Sequence, residues 1–173
     1  MEQEWTKQLF EELKRTIGTY TQQLNLKEDE EGAYLLQAVF KVFDEENEEK
    51  DCVLAEVSQF PVKPGVFQLE MNLTTEVTIK PEYMAQVERT IIQMNYYVPL
   101  GALGIFYPSN RVTVRYVAVV DQKKSAEEIS KEVVVLYELM LASLRLVYPA
   151  IKQICIGELT FEEAVEKQML LKQ

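Results

Sequence analysis

The stretch that most constrains this 173-residue chain is Ser125 to Tyr148, SAEEISKEVVVLYELMLASLRLVY. It opens with a capping box: Ser125 can accept from the backbone N–H of Glu128, and the Glu128 carboxylate can reach back. Pro149 follows and is expected to end the helix, because proline has no N–H to continue the ladder. About 24 residues lie between those signals, roughly 36 Å of helix at a rise of about 1.5 Å. Wound at about 100° per residue, the apolar residues separate into two stripes. The wide stripe carries Ile129, Val133, Leu136, Tyr137, Met140, Leu144 and Val147, flanked by Val134, Leu141 and Tyr148, and its breadth suits a sheet. The narrow stripe carries Val135, Leu139, Ala142 and Leu146 at steps of four, three and four, the spacing of a helix–helix seam. One helix thus needs two partners.

The rest of the chain supplies a sheet. Residues 2–24 read as an amphipathic helix, with Trp5, Leu9, Leu13, Ile17, Tyr20 and Leu24 on one line, and residues 25–32 as a break. Residues 33–43 alternate, placing Tyr34, Leu36, Ala38, Phe40 and Val42 on one face. The acidic octet 44–51 reads as a hairpin loop between that strand and a second at 52–60. Pro61 to Gly65 reads as a turn, and residues 66–74 as a strand with Phe67, Leu69, Met71 and Leu73 inward. Pro81 at a first helical position starts a helix to Tyr96, followed by strands at 101–107 and 111–120. After the long helix, a short apolar segment from Ile151, Gly157 and a second capping box, Thr160 with Glu163, lead to a last helix over 160–171. The predicted order is α-β-β-β-α-β-β-α-α. No crossover helix recurs between strands, so the expected architecture is a single α+β domain over residues 1–173, an antiparallel sheet with helices on one face.

Composition narrows the function. A net charge of −10 and a pI near 4.7 oppose nucleic-acid binding, which draws most of its non-specific affinity from basic patches. They oppose anionic membrane surfaces as well, and no apolar run approaches the roughly 18 residues a bilayer span needs. The amphipathic, acidic N-terminus is unlike a signal peptide or presequence, so a cytoplasmic location is expected. There is no histidine, which removes the commonest general base and transition-metal ligand. Cys52 and Cys155 lie in apolar strings and read as small buried hydrophobes.

No catalytic, cofactor or metal site emerges. The acidic octet lacks the glycine and the alternate spacing of a calcium loop. Gly101-Ala-Leu-Gly104 leads into a strand rather than from a strand into a helix, so it is no dinucleotide fingerprint. No Gly-x-Ser-x-Gly elbow occurs, and a serine or cysteine nucleophile would lack its usual base. A non-enzymatic chain is expected.

Two surfaces remain as candidates. The narrow stripe, Val135, Leu139, Ala142 and Leu146, is covered either by the helix at 2–24, by the one at 160–171, or by its own copy in a homodimer. The polar face of the strand at 111–120, Arg111, Thr113 and Arg115, is expected near Gln68, Glu70 and Asn72. It either carries stabilising cross-strand pairs or forms a docking face for a partner segment. Met71, Met84, Met94 and Met140 fall on inward faces, where they fill core or line a cavity for a small apolar ligand.

Met94-Asn95-Tyr-Tyr-Val-Pro99-Leu-Gly101-Ala-Leu-Gly104-Ile-Phe106, followed by the strand Arg111-Val-Thr-Val-Arg115-Tyr116, resembles the YbjN-type family of the type III secretion chaperone-like fold. The helix ending at Tyr148-Pro149 and the run Gly157-Glu-Leu-Thr160-Phe-Glu-Glu163-Ala164 continue the likeness, which covers residues 94–165. The resemblance implies an α-β-β-β-α-β-β-α fold with an antiparallel sheet, often dimeric. It also implies a bacterial regulator of sensory transduction; secretion relatives bind extended client segments. It brings no catalytic motif or cofactor. The acidic first hairpin and the extra helix after Thr160 depart from the pattern. The expectation is a homodimeric interaction module with a client or regulatory partner; the alternative is a sensor of a small apolar ligand, and the third an enzyme of unknown type.

Overall fold

The computed structural model describes residues 2–21, 23–41 and 51–170. Six antiparallel strands form one sheet in the order β1-β2-β3-β4-β6-β5: β1 Leu24–Glu28, β2 Tyr34–Lys41, β3 Cys52–Lys63, β4 Val66–Thr78, β5 Ala102–Phe106 and β6 Arg111–Asp121. The α-helices are α1 Glu2–Ile17, α2 Met84–Met94, α3 Ala126–Ile156 and α4 Phe161–Glu166, with a 3-10 turn at Pro81–Tyr83 leading into α2. The expected α+β class is what forms.

Alternation decides which face is covered. Leu36, Val57 and Met71 are register neighbours, as are Ala38, Ala55, Leu73, Val114 and Leu103 one step along, and all are buried. Against them lie Leu9, Phe10, Leu13 and Ile17 of α1 and Ile129, Val133, Tyr137, Met140, Leu144 and Val147 of α3. Aromatic stacking ties α1 to the sheet, Phe10 on Tyr34 at 5.4 Å and Trp5 on Phe67 at 5.3 Å. Thr16 Oγ1 lies 3.1 Å from Ser130 Oγ, joining α1 to α3. The wide stripe of α3 is therefore the sheet-facing surface, as its breadth required.

Three boundaries differ most from the expectation. First, α1 stops at Ile17 and Leu24 opens an additional edge strand. Gly18 and the turn that follows release the helix, with Gly18 N–H still bonded to the Lys14 carbonyl at 2.9 Å. Leu24 and Leu26 then lie beside Ala38 and Leu36, and burial in a pleat outweighs continuation of the helical line. Second, β3 runs through Pro61, which pairs with Phe67, so only Pro64 and Gly65 make the turn, with Gly65 at φ +75°.

Third, α3 does not end at Pro149. It continues through the proline to Ile156 and stops at Gly157, whose φ of +82° is the left-handed cap that glycine adopts freely. Proline inside a helix costs about 3 kcal/mol. The next turns bury Ala150, Ile151, Ile154 and Cys155, while Pro149 itself is exposed, and that apolar burial offsets the lost bond. Both capping boxes form: Ser125 Oγ accepts from Glu128 N–H at 3.2 Å, and Thr160 Oγ1 from Glu163 N–H at 3.1 Å. The last helix is shorter than expected, ending at Glu166.

The acidic octet, apart from Asp51, and Val42 fall outside the described residues. Asp51 Oδ2 accepts from Lys152 Nζ of α3 at 2.6 Å. Cys52 and Cys155 do not form a disulfide with each other, and burial pushes the Cys155 thiol up to about 12. α3 contains an 18-residue window of mean hydropathy 1.6, long and apolar enough by composition to cross a bilayer, and the core-facing stripe supplies part of that value.

Candidate functional site

Neither α1 nor α4 covers the narrow stripe of α3. α1 packs on the flank that carries Ser130, while the α2–β5 loop takes the opposite flank, where Ser143 Oγ donates to the Leu100 carbonyl at 3.1 Å. α4 packs near α2, with Arg89 4.6 Å above the Phe161 ring and ion-paired to Glu162. The stripe therefore stands outward as a ridge: Val135 is 54% exposed, Leu139 43% and Leu146 48%, with Ala142 exposed between them. Winding at about 100° per residue places this ridge nearly opposite Val133, Met140 and Leu144.

The ridge has charged neighbours on one flank. Lys131, Glu138 and Arg145 recur every seven residues, and all three are exposed. Lys131 is held by Glu127 at 2.6 Å, and on the other flank Glu132 accepts from Lys124 at 2.6 Å.

The second candidate, the polar sheet face, also lies where alternation puts it, with none of the helices over it among the described residues. Arg115 donates to Glu70 at 2.7 Å, and Asn72 donates to the same carboxylate at 3.1 Å. The guanidinium first, and the amide after it, hold Glu70 below the usual carboxylate range against the opposing effect of burial. Thr113 lies beside Thr74, their hydroxyls 3.4 Å apart. Arg111 stands apart from this cluster, opposite Phe106 and Thr78 at the start of β6. Gln68 is opposite Val119 instead of an arginine. Three of the four expected residues, Glu70, Thr113 and Arg115, thus line one shallow depression of about 730 Å³.

The margin of the sheet beyond β6 carries a feature the sequence reading passed over. The Asn95 side chain donates to the Leu103 carbonyl at 3.0 Å and accepts the Leu103 N–H at 2.7 Å. It occupies the place of a neighbouring strand and seals the outer edge of β5. Because the Leu103 N–H and C=O point outward to Asn95, the main-chain groups of the even-numbered residues of β5 are directed to β6, and those of their register partners Arg111, Thr113 and Arg115 to β5. By the same alternation Val117 and Val119 direct their N–H and C=O groups to that side, past the end of β5 at Ala102. No described residue pairs with them there. Val119 is 67% exposed, and Phe60, in register with it through Gln68, is exposed on the same sheet face. The signal was present in the sequence, since both valines occupy outward positions of a clean alternation.

A cleft of about 770 Å³ opens between the end of α1, β2, β3 and α3, lined by Ile17, Val39, Phe40, Val134, Tyr137 and Leu141 among others. The expected methionines are not there. Met71, Met94 and Met140 are buried in the core and Met84 packs against it. No cluster of three or more metal-ligating side chains occurs among the described residues.

Fold and surfaces together define a two-layer α+β domain, helices on one face of a sheet, with an uncovered sheet face and an uncovered helix ridge. No protein-family model matches the chain, and no curated protein matches it in sequence.

Proposed function

We propose that this chain is a non-enzymatic, cytoplasmic protein-interaction module that works as a homodimer and holds or regulates another polypeptide. The observation that carries the reading is the ridge of α3. Three large aliphatic side chains exposed in a row, at seam spacing and opposite the core face, form a helix-pairing surface. Each is about half exposed, so covering the remainder is worth roughly 1 kcal/mol apiece. The uncovered sheet face and the open margin of β6 then remain for the second polypeptide, as main-chain and side-chain docking surfaces. The resemblance to YbjN-type proteins of the chaperone-like fold points the same way.

Sedimentation velocity at tens of micromolar tests the reading. The native chain is expected at twice its 20.1 kDa mass, and Leu139→Asp at the single mass with an unchanged circular dichroism spectrum. A native monomer sinks the homodimer.

A second reading rests on the cleft beside α1. Its apolar floor and its position between sheet and helices suit a small apolar ligand. Native mass spectrometry of the protein purified from its own host checks this, since a co-purifying small molecule lost in Leu141→Arg is the expected result.

A further inference from the structure

We infer that the ridge of α3 takes a second copy of this chain as an antiparallel helix pair, in which Leu139 lies opposite the partner's Ala142 and Val135 opposite the partner's Leu146. The inference rests on the homodimer reading and specifies its geometry.

Three observations select this arrangement. The first is the layering. Steps of four, three and four make Val135 and Ala142 one kind of seam position, and Leu139 and Leu146 the other. Antiparallel pairing joins unlike positions, so each layer combines a larger with a smaller side chain: leucine with alanine, leucine with valine. Parallel pairing joins like with like and leaves an alanine–alanine layer beside a leucine–leucine one.

The second is the continuation of the stripe. Three residues before Val135 the seam spacing falls on Glu132, at the edge of the ridge, and three after Leu146 it falls on Pro149, both exposed. In the antiparallel register Glu132 meets the partner's Pro149. In the parallel register it meets the partner's Glu132, a like-charge contact at the seam.

The third is the flank. Glu138 and Arg145 lie on the same side of the ridge, seven residues apart, each immediately before a seam leucine. A twofold axis perpendicular to the two helices brings like flanks together, so Glu138 reaches the partner's Arg145 and Arg145 the partner's Glu138. The parallel pair would set this flank against Leu136 and Ser143, which face the core side. One further pair, Lys131 with the partner's Lys152, is like-charged. Lys131 is already held by Glu127 and Lys152 by Asp51, each at 2.6 Å.

Charge reversal on full-length protein tests the register. Glu138→Arg and Arg145→Glu are each expected to weaken association about tenfold, because each turns two exposed attractions into repulsions. The double variant is expected to recover to within about threefold of native, since the pairs are restored with their signs exchanged. Circular dichroism melts establish that the variants fold. A dimer that is lost in Leu139→Asp yet indifferent to both reversals, or a double variant that fails to recover, overturns the antiparallel register and leaves the homodimer standing. A native monomer overturns both. Cysteine cross-linking decides independently of the charge variants. Chains carrying Leu139→Cys mixed with chains carrying Ala142→Cys are expected to join faster than either alone, and Leu139→Cys joining fastest with itself means a parallel pair and refutes the inference.

Discussion

The two sides of α3 are built from the same residue types and do opposite work. Val133, Met140, Leu144 and Val147 on one side are wholly enclosed by the sheet and α1. Val135, Leu139 and Leu146 on the other stand in solvent at roughly half exposure. Composition cannot separate them, since both are valine and leucine at helical spacing. The difference is what lies opposite: a six-stranded sheet already formed by the chain, or nothing the described chain provides. An aliphatic residue facing its own sheet holds the fold; the same residue facing solvent is available for another molecule.

Substitutions should divide along that line. The largest effect belongs to Leu144→Ala on the inner side, expected to cost about 2–5 kcal/mol by loss of burial and the cavity left behind. Urea denaturation measures it, and a loss below about 1 kcal/mol would mean the inner side is loosely packed.

Tyr137→Phe comes next. Its hydroxyl donates to the Glu56 carbonyl at 2.6 Å, and removing that bond is expected to cost about 1 kcal/mol. The same residue sharpens the contrast through pH. Burial raises the Tyr137 and Tyr148 hydroxyls and the Cys155 thiol above their ordinary values. A raised folded-state value means the folded protein keeps protons that the unfolded chain releases. Stability is then fully present below about pH 8 and falls as pH rises through the ordinary cysteine and then tyrosine range. Stability measured from pH 7 to 11 should decline, and Tyr137→Phe should reduce the steepness above pH 10.

Leu139→Asp on the ridge should change monomer stability by about 0.5 kcal/mol or less, the usual scale for a surface site. Its effect should instead appear as loss of association. A collapse of the fold would show that the ridge belongs to the core and would remove the contrast.

Smallest is Arg115→Ala on the open sheet face, expected to cost a few tenths of a kcal/mol because the pair with Glu70 is largely solvated. Glu70 is held low by Arg115, so this contribution is present above the ordinary glutamate value and lost as pH falls below it. The difference between native and variant stability should shrink as pH falls through and below the ordinary glutamate range.

Much of the architecture was legible in the residues. Phe67, Leu69, Met71 and Leu73 alternate without exception, as do Val112 and Val114, and both runs are core-facing strands. Ser125 with Glu128 and Thr160 with Glu163 marked two helix starts, because a capping box is a local arrangement needing nothing from the rest of the chain. The misreadings share a cause. Leu24 sits seven residues after Ile17, so it continued the helical line, and only pairing with β2 makes it a strand. Pro149 carries a local stop signal that the burial of Ala150, Ile151 and Ile154 overrides. The candidate surfaces follow the same rule. Glu70, Thr113 and Arg115 were placed on one face by period two alone, whereas the seal Asn95 forms on Leu103 depends on where the α2–β5 loop turns.

The division of α3 into two stripes was decided by the sequence itself, since a helix at about 100° per residue leaves those side chains no other directions. Which stripe would be enclosed, and that the other would stay open, was decided only in three dimensions. A sheet offers its helices one face and a limited width. α1 and the α2–β5 loop take the space on either side of α3, and the ridge of Val135, Leu139, Ala142 and Leu146 is what that geometry leaves uncovered.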